Sequence, residues 1–182
     1  METLLSITDS AKRSYEEYIR DIILSITGLE KMNSYTDEEA LLDLKEALSR
    51  VPGLAREGLI AGSDINKTSE EGRAELLRDL STFKVCMAWI ALELLPLPRL
   101  KTAKSGEDSY ALKHRVEKYV DLNSTGHIYV SNGIVTLAMV ASGFKYQREG
   151  WRRNMQFNVS RSRVNKIQDR YFAQDRLRRD SN

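Results

Sequence analysis

An apolar repeat in the middle of the chain constrains the fold more than any other feature of the sequence. No proline occurs between Ser69 and Leu95. Six large apolar residues there follow one another at steps of four, three, four, three and four: Leu76, Leu80, Phe83, Met87, Ile90 and Leu94. Such spacing places them on one face of a long central helix, with Thr68 and Glu71 as its capping box. Because fewer than three heptads are short for an independent coiled coil, core packing is favoured over a homodimer seam.

Two more helices are predicted in the N-terminal half. The first begins near Thr8 or Asp9 and ends at Thr27, with an apolar stripe along one side. The second runs from Asp37 to about Arg50. Its N-terminus carries a second capping box, in which Thr36 and Glu39 would satisfy backbone donors reciprocally. The N-terminal part is therefore predicted to be a helical bundle.

The second half predicts a helix, a short extended segment and another helix. Asp108 or Ser109 caps the first of these helices, and Ser131 or Asn132 caps the second. Gly143 stands where a left-handed residue would end the second helix. This second helix is almost wholly apolar, so it offers few side chains that could read bases. A buried, supporting helix is favoured over a DNA-recognition helix.

A hairpin and a last helix complete the predicted fold. Residues 144–148 would pair with a strand in which Met155, Phe157 and Val159 alternate with polar residues, and residues 127–130 would pair at its edge. A final helix begins at Ser160. Its inward residues are predicted to be Val164, Ile167, Tyr171 and Phe172, and its last eight residues are predicted to fray. This order of elements resembles the second half of a winged-helix domain, and the fold class is mostly α, of α+β type.

The net charge of +2 hides an asymmetry along the chain. Residues 1–98 contain 11 Lys and Arg against 18 Asp and Glu, whereas residues 99–182 contain 17 against 8. The sign changes near Pro96 and Pro98, which end the central helix. The sequence therefore predicts an acidic helical region at 1–98 and a basic α+β region at 99–182, with one continuous domain as the alternative.

The C-terminal region supplies the candidate binding residues. Arginine dominates its cations, which suits bidentate contacts to phosphate or carboxylate, and aromatic residues lie among them. The predicted nucleic-acid-binding residues are Lys145, Arg148, Trp151, Arg152, Arg153, Arg161, Arg163, Lys166 and Arg170. A solvated basic face that merely balances the acidic half is the alternative.

No catalytic, metal-binding or cofactor-binding motif is found in the sequence. His114 and His127 have no cysteine or carboxylate at metal-ligand spacing, and Ser131 lies in no nucleophile motif. The single cysteine, Cys86, excludes an intramolecular disulfide and indicates a reducing compartment. No stretch has the length and apolarity of a membrane span. We expect a cytoplasmic, non-enzymatic protein without a cofactor or a membrane partner.

The stretch from Ser109 to Phe144 carries a pattern that resembles a group of proteins. Its residues, S-Y-x-L-K-H-x-x-E followed by Y-V-S-N-G and G-F, are similar to those of small uncharacterised proteins of bacterial plasmids and phages. The resemblance implies an origin in a mobile element and carries no established activity. Together with the charge asymmetry it predicts an accessory nucleic-acid-binding protein. The alternative is a protein-interaction module that docks an acidic partner or self-associates.

Overall fold

The computed structural model of the protein describes residues 35–59, 70–124, 127–148 and 152–180. The helix predicted between residues 8 and 27, the capping residue Thr68 and the candidate binding residue Trp151 lie outside these ranges.

The first described helix confirms the prediction made for it. Helix α1 spans Asp37–Arg50. The hydroxyl of Thr36 accepts a hydrogen bond from the backbone of Glu39, and the Glu39 carboxylate accepts one from the backbone of Thr36, at 3.2 and 2.8 Å. Both halves of the capping box are therefore present. A two-stranded antiparallel ribbon follows, formed by β1 (Leu54–Ala55) and β2 (Gly58–Leu59).

The prediction of one uninterrupted helix from Ser69 to Leu95 is wrong. The chain forms α2 (Glu70–Arg78) and α3 (Leu80–Trp89), and α3 continues into a π-helix over Ile90–Leu94. Asp79 separates α2 from α3 with φ −91° and ψ 36°. Aspartate has a low helix propensity because its side chain competes with the backbone for hydrogen bonds. The identity of residue 79 therefore gives a local reason for the break.

Three elements follow the proline-containing loop: β3 (Gly106–Asp108), α4 (Ser109–Asn123) and α5 (Asn132–Ala141). The Asp108 carboxylate caps α4 by accepting from the backbone of Ala111 at 2.8 Å. The Ser131 hydroxyl caps α5 by accepting from Ile134 at 3.2 Å. Gly143 has φ 72° just after α5, as its position predicted. Of the two cap residues proposed for each helix, the structure therefore selects Asp108 and Ser131.

The predicted hairpin is confirmed, with a different third strand. Strands β4 (Tyr146–Arg148) and β5 (Met155–Ser160) pair antiparallel, and β3 pairs with the other edge of β5. The sheet order is thus β3-β5-β4. Residues 127–130 were predicted at this edge, but they form no strand. Gly106 and Glu107 of β3 are buried in this sheet.

The last helix, α6, spans Arg161–Asp180. Val164, Ile167 and Tyr171 face the core as predicted. Phe172 does not, because 47% of it is exposed. The predicted fraying of the last eight residues is also wrong for Asp175–Asp180, which remain helical.

Helix α5 is the centre of the core. All residues from Ser131 to Val140 are buried. Helices α1, α3 and α4 pack around α5, and β2 covers its N-terminal end. The apolar repeat of the middle region is less central than the sequence predicted, because Leu80 and Met87 are only partly buried. The core contains residues from both sides of Pro98, and the fold is mostly helical with small antiparallel sheets.

Candidate nucleic-acid interface

The structure divides the predicted cations between two ends of β5. Arg152 and Arg153 come just before this strand, and Arg161 comes just after it. At about 3.3 Å per residue, a six-residue strand keeps these positions roughly 20 Å apart. The basic residues therefore form two surfaces rather than one continuous patch.

The first surface is one side of α6. Arg163, Lys166 and Arg170 follow one another at steps of three and four, so they project from the same side of the helix. They line an open groove with a volume of about 510 Å³. Its other lining residues are Leu97, Ser162 and Ile167. We call this surface the α6 groove; it combines three cations with a largely apolar lining.

Two of the predicted binding arginines on α6 are held by the protein itself. The Nε of Arg161 donates to the carbonyl oxygen of Gly106 at 2.8 Å and lies 3.9 Å from the Glu107 carboxylate. Arg170 donates to the carboxylate of Glu93. Among the described residues, the side chains of Arg163 and Lys166 have no hydrogen bond or ion pair. These last two are the cations of α6 most available to an external anion.

Glu93 is the buried carboxylate that holds Arg170 of the α6 groove. It lies in the π-helix with 8% of its surface exposed, and π-helical turns often mark functional positions. Besides the Arg170 contact, its carboxylate accepts a hydrogen bond from the Tyr171 hydroxyl at 3.0 Å. The pKa of Tyr171 is raised far above its usual value, mainly by burial and secondly by the nearby charge of Glu93. Tyr171 therefore stays protonated and donates to Glu93.

The second surface surrounds the end of the hairpin at which β4 ends and β5 begins. Arg152 and Arg153 are exposed there, and Arg148 is partly buried on β4. The carbonyl oxygen of Arg153 accepts a hydrogen bond from Leu59 at 2.8 Å, which fixes this end of the hairpin to the β1–β2 ribbon. Lys145 is not part of this second surface, because it lies at the opposite end of β4. Its Nζ donates to the carbonyl oxygen of Lys101 at 3.5 Å.

The burial of α5 determines how nucleic acid could be contacted. In a winged-helix interpretation α5 would approach the major groove of DNA. Here α1 covers α5 instead. Base reading by this helix is excluded in this arrangement, since its residues from Asn132 to Val140 are buried. The exposed cations are the groups that this arrangement leaves for contacts to phosphates.

The sequence did not identify a third feature, a cluster around Lys113. The Nζ of Lys113 lies 4.5 Å from the ring centre of Tyr129 and 5.8 Å from that of Tyr110. It donates to the Glu117 carboxylate and to the carbonyl oxygen of Val130, at 3.3 and 3.1 Å. Tyr110, Lys113 and Glu117 are separated by three and four positions, so the helical spacing was the available signal.

The histidines and the cysteine carry no separate site. His114 contacts Glu117 at 2.7 Å, and His127 contacts Asp121 at 2.7 Å. Across the described part of the chain, no group of three or more metal-binding side chains occurs. Cys86 is buried in α3, and this burial raises the pKa of its thiol. Cys86 therefore acts as a small apolar core residue.

Among the described helices, none has the length and apolar character required to span a bilayer. No protein-family model, curated protein or solved structure matches the chain.

Proposed function

We propose that the protein is an accessory nucleic-acid-binding protein that contacts phosphates through its basic C-terminal surfaces. The α6 groove carries this proposal, because Arg163 and Lys166 project from one side of a helix without partners among the described residues. Cations in such an arrangement attract the phosphate backbone and release its counterions. The charge of residues 145–182 supports the proposal, with 11 Lys and Arg against 4 Asp and Glu.

The proposed binding depends on the backbone of the nucleic acid more than on its base sequence. The helix that would enter the major groove is enclosed by α1, α3 and α4. Phosphate contacts position a protein but carry no sequence information. Affinity is therefore expected to vary little between duplexes of different sequence and to fall steeply with salt.

Charge reversal in the α6 groove tests this function. The double variant Arg163→Glu/Lys166→Glu should bind a short DNA duplex more weakly than the wild type. The slope of log affinity against log salt should also decrease, by about 0.9 for each phosphate contact that is lost. Fluorescence anisotropy with a labelled duplex at several salt concentrations measures both effects.

A matched control separates a local effect from net charge. Arg73 and Arg78 are exposed on α2, and Arg73→Glu/Arg78→Glu changes the total charge by the same amount. This control should retain most of the affinity. Equal weakening by both double variants would mean that the α6 groove is not the binding surface.

A second candidate function is the docking of an acidic protein segment in the α6 groove. The apolar lining contributed by Leu97 and Ile167 favours it, since apolar contacts with a rim of opposite charge are typical of peptide grooves. Wild-type protein that binds neither duplex nor single-stranded DNA at low salt would favour this second function.

A further inference from the structure

Two exposed tyrosines lie beside the same lysine, Lys113. Tyr110 lies in the first turn of α4 and is 52% exposed, and Tyr129 lies in the segment before α5 and is 47% exposed. Large aromatic side chains dominate cores and interfaces because they bury much apolar area. Two exposed rings beside the same ammonium group offer a flat aromatic surface on which a ligand can pack.

The segments that carry the two rings are joined by a largely buried ion pair. Lys113 is only 6% exposed, and it bonds to Glu117 and to the backbone of Val130. Glu117 also accepts a hydrogen bond from the Val130 backbone at 3.0 Å. These contacts fasten the segment that carries Tyr129 to the helix that carries Tyr110. Because these two segments are already joined, binding of a ligand across them requires little additional ordering of the backbone.

Contacts within the protein leave part of each ring open. The Tyr110 ring meets the His114 ring edge to face, with centroids 4.5 Å apart. The Tyr129 ring contacts Lys113 and lies 5.5 Å from the guanidinium carbon of Arg56. The Tyr129 hydroxyl is 3.4 Å from the Glu57 carboxylate. About half of each tyrosine still faces solvent, which leaves room for a planar group.

The basic end of the hairpin is connected to this tyrosine pair. Met155, which follows the exposed Arg152 and Arg153, donates from its backbone to the hydroxyl of Ser109, the neighbour of Tyr110. On the other side, Arg153 accepts a backbone hydrogen bond from the β1–β2 ribbon, whose turn contains Arg56. The exposed Arg152 and Arg153 therefore lie two to three residues from a contact with the start of α4, and Arg56 lies 5.5 Å from the Tyr129 ring.

We propose that Tyr110 and Tyr129 form a stacking platform for unpaired bases of a single-stranded nucleic acid, whose phosphates are contacted by Arg56, Arg152 and Arg153. Aromatic rings beside a basic surface bind single strands because every base presents a flat face and every nucleotide a phosphate. In a duplex the bases are already stacked on one another, so the platform discriminates against it. This inference rests on the proposed nucleic-acid function and names the strand state that the second basic surface binds.

The test compares single strands with a duplex. Probes are labelled oligo(dT) and oligo(U) of about 12 nucleotides, within the site size of known single-strand binders, and a DNA duplex of equal length. Stacking of each base on an aromatic side chain contributes to the affinity for single strands. The variant Tyr110→Ala/Tyr129→Ala should therefore bind both single strands at least about tenfold more weakly, while its affinity for the duplex changes less than about twofold.

Three further measurements make the test specific. The variant Tyr110→Phe/Tyr129→Phe keeps both rings and should bind single strands like the wild type. The salt dependence of the alanine variant should match that of the wild type, because no charge is removed. Phe172→Ala removes an aromatic residue of similar exposure on α6 and should have no effect. Thermal unfolding of each variant shows that the fold is intact.

The outcomes distinguish this inference from the proposed function. Unchanged single-strand affinity in the alanine variant would overturn the stacking platform, as would equal losses for single strands and duplex. Loss of binding in the phenylalanine variant would overturn it too, since it would assign the effect to the hydroxyl groups. Duplex binding that depends on Arg163 and Lys166 would leave the proposed function in place in each of these cases.

Discussion

The indole nitrogen of Trp89 donates a hydrogen bond of 2.9 Å to the hydroxyl of Tyr171, and both side chains are fully buried. This contact joins the end of α3 to the middle of α6 across 82 positions of the sequence. The same hydroxyl donates to Glu93, so one oxygen atom connects a core tryptophan with a buried carboxylate. The acidic and basic regions of the chain are therefore linked by a shared polar network inside the core.

Removal of this hydroxyl should destabilise the protein. Tyr171→Phe leaves the Trp89 donor without a partner and deprives Glu93 of one donor. A buried group that loses its partner costs about 1–3 kcal/mol, and unfolding in urea measures the change. Tyr146→Phe is the control, because its hydroxyl bonds to the exposed carbonyl of Arg50 and should contribute less. Equal losses in the two variants would contradict the role of the buried network.

Shortening a side chain in α5 should reduce the free energy of unfolding more than shortening a partly exposed side chain at the start of α3. Leu137 is fully buried, and Leu137→Ala is expected to reduce the free energy of unfolding by about 2–5 kcal/mol. Leu80 is only partly buried, so Leu80→Ala should cost clearly less. Chemical denaturation of both variants measures the difference. A larger loss for Leu80 would restore the middle apolar repeat to the centre of the core.

Gly106 should tolerate no side chain. A Cβ atom there would lie 1.6 Å from the carbonyl oxygen of Phe157 in the neighbouring strand. Since backbone atoms of β5 cannot move aside cheaply, Gly106→Ala should cost about 3 kcal/mol or more. Gly143→Ala provides the comparison, because its open surroundings leave only the strain of a positive φ, about 1–2 kcal/mol. The ranking of their thermal midpoints checks the prediction.

The arginines of α6 should divide into structural and available residues. Arg161→Ala removes the hydrogen bond to Gly106 and is expected to lower stability by about 0.5–1.5 kcal/mol. Arg163→Ala should change stability by less than about 0.5 kcal/mol, since Arg163 has no partner among the described residues. Denaturation curves of the two variants test this. Matching losses would mean that Arg163 is also an internal partner.

Stability should depend on pH through Asp175 at the α4–α6 contact. A hydrogen bond from Lys118, at 2.8 Å, is the main reason that the pKa of Asp175 is lowered below its usual 3.8. A carboxyl group with a lowered folded pKa stabilises the fold above its unfolded pKa, and this contribution is lost as the pH falls through the folded value. Wild type should therefore exceed Asp175→Asn in stability at neutral pH.

The difference between these two proteins should shrink as the pH falls below 3.8. Thermal unfolding across this range measures it. A difference that stays constant with pH would show that the Asp175 charge does not contribute.

Several elements could be predicted because their causes are local. The capping box of Thr36 and Glu39, the left-handed Gly143 and the alternating strand after Met155 depend on residues a few positions apart. The break at Asp79 also had a local signal, which the continuing apolar repeat outweighed. The third strand could not be predicted, since the pairing of Glu107 with Phe157 joins residues 50 positions apart.

The sequence by itself determined the helical class, the hairpin and the concentration of positive charge in the C-terminal part, because periodicity, capping and composition act within single elements. Only the tertiary structure decided that α5 lies at the centre, that Arg161 and Arg170 are bound internally while Arg163 is available, and that Tyr110 and Tyr129 meet at Lys113. Burial and ion pairing depend on contacts between distant segments, and these contacts exist only after the helices and the sheet have packed together.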